Sequence, residues 1–470
     1  TLAVALLALA LIVSQTPWFR DWIRRTIIRE ARQYLNGDLT IGAVTGNLFF
    51  DFGVSDVAVD LSGERIVAVK ALSLDYSIFE LVSRGVVLDR ITLTEPRVRL
   101  ARDEDGWNIR KLVKERASEA DRRGPNRTIS LPSIAIVDGA IAIDDAAGTT
   151  NYRLPRRIDD LDVLASFEYE PVHFSVGLKQ LSFRGAEPNF VVQQLTGEVA
   201  VRDDNLYLER VAVKTGEGAF NVGGTIESYL RTPVIKLVLD GNLSLPEIGR
   251  IVPALSGYQL HPALVVKANG TTDRLSMDLD MKSEAGLVRG QLVTDLRAPD
   301  FAFAGPLHVE RLNLAPILKD PKQPSDITGD ARVDVKFLSG PEGSRALDRL
   351  GGTFTFSGPR VTALGYAASD VRANGSFQGP RIVLSAANVR AYHGAATTRG
   401  VIVLPDRGRP IVYDLRGSAT NVDLRRLPKS VRAPQLDALL SLAAYHVKGS
   451  GGALSGSATF NQSQVEGATV

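Results

Sequence analysis

Beyond residue 38, apolar and polar positions alternate with a period of two along most of the chain. Leu275, Met277, Leu279 and Met281 alternate with Ser276, Asp278, Asp280 and Lys282, and the same pattern runs through 235–239, 333–337 and 353–356. Strands of this kind bury one face and leave the other to water. The pattern predicts few helices: 77–83, part of 107–123, 247–255 and, as a further candidate, 435–444.

Two segments near the N-terminus break the period. Residues 2–13 (LAVALLALALIV) are an unbroken apolar run. A spanning helix needs about 20 such residues, and the sequence opens at Thr1 without an initiator Met, so a signal-anchor over 1–17, clipped on its N-terminal side, is expected. A cleaved signal peptide and a buried soluble helix are the competing readings, and no clear cleavage site precedes Pro17. From 18 to 35, Trp18, Phe19, Trp22, Ile23, Ile27, Tyr34 and Leu35 fall largely on one helical face, with Arg20, Arg24, Arg25, Arg29 and Arg32 towards the other. Trp18, Trp22, Arg24 and Arg25 are candidate membrane-interface residues, since paired Trp and snorkelling Arg suit a helix lying in the interface. The plainer reading, compatible with it, is an amphipathic helix capping a β core. The Arg side chains do not fix an orientation, because the positive-inside rule would place them in the cytoplasm.

Asn36-Gly37-Asp38 reads as a helix stop. A charged stretch over 110–127, ending in Arg123-Gly124-Pro125-Asn126, reads as a helix running into a linker. The expected organisation is an anchor (1–17), an amphipathic interfacial helix (18–37), an N-terminal β unit with a helical linker (38–127) and a repeat-built β-groove (128–470). The repeat is degenerate: Gly197 to Ile248, Gly270 to Ile317 and Gly375 to Leu427. Each copy opens with Gly before an alternating strand, turns at a pair of glycines, crosses a Pro (Pro233, Pro299, Pro410) and ends in an Asn-apolar tag starting at Asn242, Asn313 or Asn421 that tips into a short turn or helix. Residues 318–374 add strands between the second and third copies. Repeats that cannot bury their faces alone stack into an extended array.

The 470 residues are 44% hydrophobic and 23% charged, too apolar for disorder. A net charge of +2 provides no electrostatic footprint for nucleic acid. With no Cys, disulfides, thiolate metal sites and Cys nucleophiles are excluded. The five His are isolated, and no nucleophile elbow or phosphate-cradling loop occurs. Gly216-x-Gly218 with Gly223 lies between strands and lacks the helix that would bind pyrophosphate. The acidic pairs Asp144-Asp145, Asp159-Asp160 and Asp203-Asp204 read as turns and solvated strand ends. No enzyme, catalytic residue, metal or cofactor is expected.

The long, unequal repeat units favour a mostly β, curled sheet with an apolar groove over a packed solenoid of short coils. Its candidate wall residues are Leu237, Leu239, Leu275, Leu279, Phe354 and Phe356.

Residues 39–48 (LTIGAVTGNL), 54–60 (VSDVAVD), 69–81 (VKALSLDYSIFEL), 85–100 (GVVLDRITLTEPRVRL) and 105–109 (DGWNI) resemble the N-terminal region of AsmA-like proteins, most closely the TamB-like inner-membrane subunits of translocation and assembly modules. The likeness is patterned over residues 1 to about 115 and rests further on upon the tags and Gly-rich strands. It implies a β-taco-like groove in the periplasm of a bacterium, held by a single pass through the inner membrane. It implies phospholipid as cargo moving towards the outer membrane. For TamB-like members it also implies help in assembling outer-membrane proteins with a barrel partner of the TamA type. The C-terminal domain that meets that partner is not in this sequence, so a piece of a longer parent is expected. The rivals are an assembly factor working by edge-strand pairing and a surface adhesin or structural solenoid.

Overall fold

The computed structural model describes residues 16–47, 51–75, 88–103, 106–114, 128–145, 152–170, 173–297, 301–338, 346–363, 365–405, 409–427, 437–450 and 453–469. The chain divides into two compact units, Thr1–Thr232 with Arg250–Pro253, and Pro233–Gly249 with Ala254–Val470. Both are mostly β, as the alternation predicts.

The first unit begins with α1 (Pro17–Ala31), followed by β1 (Asp38–Thr40), β2 (Ala43–Asn47), β3 (Asp51–Leu61), β4 (Glu64–Asp75), β5 (Arg90–Asp103), β6 (Gly106–Trp107) and α2 (Asn108–Leu112). It continues with β7 (Ile129–Asp145), β8 (Arg157–Glu170), β9 (His173–Ala186), β10 (Phe190–Arg202), β11 (Asn205–Thr215) and β12 (Ala219–Glu227). Successive strands from β7 onward pair antiparallel, whereas β5 and β7 pair in parallel, Ile91 opposite Ile134 and Leu100 opposite Ile143. A parallel pair needs a crossover connection, which here holds α2. The charged stretch over 110–127, read as a helix running into a linker, therefore joins two hydrogen-bonded neighbours.

Several of these strands are bent by a residue in the left-handed region: Asp56 in β3, Glu95 in β5, Asp138 in β7 and Asp160 in β8. The register carries these positions across the sheet in one line, where Lys70 of β4 pairs with Glu95 and the Asp138 N–H donates to the Asp162 carboxylate at 3.0 Å. A bulge leaves one backbone N–H out of the ladder and bends the strand, and at Asp138 a side chain takes up that N–H.

α1 begins at a Thr16 cap, whose hydroxyl accepts from the Phe19 N–H at 3.3 Å, with Pro17 at its first position. Ile27 and Ile28 pack against the buried cluster of Ile41, Val44 and Val54, and Arg24 donates to the carbonyls of Ile41 and Gly42 at 3.4 Å. α1 thus caps a β core.

Among the described residues no helix is long and apolar enough to cross a membrane. The expected single pass through the inner membrane is corrected accordingly: no described helix supports such an anchor. In α1, six charged residues (Arg20, Asp21, Arg24, Arg25, Arg29 and Glu30) within fifteen leave no continuous apolar stretch. The apolar run over 2–13 and the helix expected over 77–83 lie outside the described residues.

The second unit comprises β13 (Val234–Asn242), all but the last two residues of α3 (Leu245–Ile251), β14 (Ala263–Thr271), β15 (Arg274–Ser283), β16 (Gly286–Asp295), β17 (Ala302–Leu312), α4 (Leu314–Leu318), β18 (Ser325–Phe337), β19 (Leu350–Ala363) and β20 (Tyr366–Gln378). It ends with β21 (Arg381–Ala391), β22 (Gly394–Val403), β23 (Val412–Asp423), β24 (Ala438–Ser450), β25 (Ala453–Phe460), β26 (Gln464–Val465) and β27 (Ala468–Thr469). From β13 to β25 each strand pairs antiparallel with the next. Residues 438–444, expected as a helix, belong to β24. The expected helix over 247–255 is α3 followed by a 3-10 turn, Pro253–Leu255.

All three Asn-apolar tags lead from a strand into a helical turn. Ser244 accepts from the Glu247 N–H at 3.2 Å, Asn313 from the Ala315 N–H at 3.1 Å and Asp423 from the Arg425 N–H at 3.0 Å. Ser and Asp at the third tag position, and Asn at the first, satisfy N–H groups that would otherwise be orphaned at a helix start.

Candidate functional site: the apolar face of the second unit

In an antiparallel ladder, directly opposed residues point to the same face, so the register defines rows running across the strands. One row is Leu239, Val266, Leu279, Gly290, Leu307, Ala331, Phe356 and Ala373. The row two residues along one side contains Leu237, Ala268, Met277 and Leu292 on β13–β16. On β18–β25 that row contains Val333, Phe354, Gly375, Leu384, Gly400, Leu415, Val447 and Gly456. A third begins at Ile235 and includes Leu275, Phe303, Val335, Phe377, Ile382, Ile402 and Tyr413.

The six wall residues named from the sequence therefore share one face. Leu239, Leu279 and Phe356 occupy the same row, two and then four strand-to-strand steps being bridged without a break in register. The sequence did not single out Val266, Leu307, Leu384 and Leu415, which continue the face. Their alternation is visible in the sequence, but only the register places them in line.

Burial separates a lined face from a packed core. Leu275 is buried, with 4% exposure, as are Val335 at the same edge and Val309 at the opposite end of the strands. Leu237, Leu239, Leu279, Phe354 and Phe356 are only half-buried. Residues between two packed sheets would be closed off from solvent on that side. Here the strands alternate between exposed and half-buried positions, as in β14 and β15.

Large and small side chains alternate along the rows. The Phe354 ring lies 3.2 Å from where a Cβ on Gly375 would stand, and the Phe356 ring covers both Gly329 and Gly358. Gly400 lies between Leu384 and Leu415 at φ +143°, a conformation open to glycine. At one edge Phe301 packs against Phe303 and Phe337, with centroids 6.0 and 5.5 Å apart.

The opposite face is polar and carries cross-strand ion pairs. Arg289 lies 3.0 Å from Asp280, His308 2.7 Å from Asp330, and His446 2.7 Å from Asp414. The His446 hydrogen bond, helped by Lys448, holds the Asp414 carboxyl below the ordinary carboxylate range. Among the described residues no group of His and carboxylates is arranged to hold a metal ion. Gly216-x-Gly218 forms the β11–β12 turn, where the Thr215 hydroxyl accepts from the Gly218 N–H at 3.0 Å.

The interface candidates lie on α1, in the first unit. Trp18 and Trp22 are 71% and 51% exposed, and Phe19 stacks on Trp22 at 5.7 Å. Arg24 and Arg25 both pair with Asp21, at 2.8 and 2.5 Å. Compared with family models, curated proteins and solved structures, the chain matches none.

Proposed function

We propose that this protein carries lipid, with acyl chains lying against the apolar face of a curled, repeat-built groove and polar headgroups remaining in water. The observation that supports this reading is the unbroken row from Leu239 through Leu279 to Phe356, half-buried rather than packed away. An apolar face of that extent, left open to water, marks an interaction surface. Each buried CH₂ contributes about 0.8 kcal/mol, so a tail is held. Successive strands repeat about every 4.8 Å, so the tail meets a near-equivalent position at each step and slides. The resemblance to AsmA-like proteins points to the same cargo, phospholipid moving towards an outer membrane.

The test is mass spectrometry of lipid extracted from the purified 470-residue chain. Several phospholipids per chain, lost in L239D/L279D and retained in V265D on the polar face, support the carrier. A folded wild-type chain free of lipid would overturn it. One observation favours a second reading, an assembly factor that pairs client strands. β25 is exposed along its whole length, and among the described residues it pairs only with β24. That reading predicts that a proline within β25 abolishes client binding and leaves bound lipid unchanged.

A further inference from the structure

Arg399 of β22 and Arg416 of β23 are directly opposed in the ladder, on the polar face of the second unit. Like charges in that relation repel, and among the described residues neither arginine forms an ion pair. Arg289 on the same face behaves differently: it lies between Asp280 and Glu310, at 3.0 and 3.8 Å. Around Arg399 and Arg416 the surface is concave, with a volume of about 860 Å³, and no carboxylate lines it. Asn388, Thr397, Ser418 and Ser457 contribute amide and hydroxyl groups to the same concavity, and Thr397 and Ser418 are hydrogen-bonded at 2.9 Å. His446 stands opposite Arg416 on the next strand. The nearest acid along β23, Asp414, is engaged by His446 and Lys448 at 2.7 and 3.5 Å.

We propose that this concavity is an oxyanion site that takes a phosphate group, held between the Arg399 and Arg416 guanidiniums and the hydroxyls beside them. Guanidinium forks match phosphate bidentately, and an anion placed between two opposed arginines turns their repulsion into attraction. Hydroxyl and amide donors satisfy the remaining phosphate oxygens without adding charge. The phosphate can belong to a small soluble molecule or to a lipid headgroup. The site lies on the face opposite the apolar rows and does not depend on the lipid-carrier reading.

Titration calorimetry of the full chain with inorganic phosphate tests the site, with R399Q and R416Q as variants and R289Q as a control for general loss of charge. The expected result is saturable binding, weakened about 10-fold or more in R399Q and R416Q and unchanged in R289Q. A thermal melt without phosphate provides a second readout. Relief of the repulsion raises the midpoint of both variants above wild type, and added phosphate stabilises them less. Flotation with phosphatidic acid vesicles, against phosphatidylcholine vesicles, distinguishes the sources. Phosphate binding with Arg-dependent capture of phosphatidic acid indicates a headgroup, and phosphate binding without capture indicates a soluble phosphate. Equal phosphate affinity in R416Q and R289Q, or binding of neither phosphate nor phosphatidic acid, overturns the proposal.

Discussion

The ring of Tyr413 lies across Gly449, its directly opposed partner on the next strand, so that a Cβ on Gly449 would stand 2.6 Å from the tyrosine Cε1. The glycine leaves the space that the ring occupies, and the ring covers backbone that glycine would otherwise expose. Gly449→Ala is expected to displace the ring and destabilise the second unit by about 1–3 kcal/mol. Gly223→Ala, whose new methyl would meet nothing nearer than the Leu208 carbonyl at 3.7 Å, is expected to stay within about 0.5 kcal/mol of wild type. Urea denaturation of the two variants checks the contrast.

Ser244 is buried, and its hydroxyl accepts from the Glu247 N–H where β13 passes into α3. Ser244→Ala leaves that N–H without its partner and should cost about 1 kcal/mol. Ser244→Asp keeps an acceptor at the cap and should recover part of the loss. Hydrogen exchange at Glu247 and Ile248 reads both effects locally.

The strands and the ends of the repeats were legible in the sequence for a simple reason: each depends on local chemistry. Leu275 to Met281 alternate because one face of β15 is apolar, and Asn313 appears as a tag because it caps α4. Residues 435–444 misled because Leu439, Leu440 and Leu442 do not alternate and suit a helical face. In β24 these leucines fall around irregularities, between Ala419 and Val422 on the β23 side and at Leu442/Ala444 on the β25 side. Pairing on both sides overrides the local preference. Of the line of bulges through Asp56, Glu95, Asp138 and Asp160, only Asp160 was singled out in the sequence, within an acidic pair read as a turn or solvated strand end, since nothing local reveals that the four lie side by side. The opposed arginines of the polar face went unnoticed for the same reason: register, not spacing along the chain, brings Arg399 to Arg416.

Asp295 titrates at about 2, held down first by its hydrogen bond from Arg297 and then by the Arg297 backbone N–H. A carboxylate with a lowered folded pKa stabilises the fold above its unfolded value of about 3.9. That contribution is lost as the pH falls from about 4 towards 2. In Arg297→Gln the Asp295 pKa is expected to rise towards the ordinary value, and this part of the acid slope should disappear. Carboxyl NMR shifts of Asp295 in the two proteins, followed from pH 5 to pH 1.5, measure the change.

α1 is held to the β core by Ile27 and Ile28, and by Arg24 reaching the carbonyls of Ile41 and Gly42. Neither tryptophan is among the residues packed against that core cluster, and they are 71% and 51% exposed. The docked face and the aromatic face should therefore respond separately to substitution. Ile27→Ala removes half-buried methyl groups and should lower the opening free energy of α1 by about 1–2 kcal/mol, below the loss for a fully buried isoleucine. Amide exchange along α1 should then quicken by about 5- to 30-fold. Trp18→Ala should leave that exchange unchanged, because the ring touches solvent rather than the core. Equal acceleration in both variants would mean that the tryptophans hold α1 in place, contrary to the packing described.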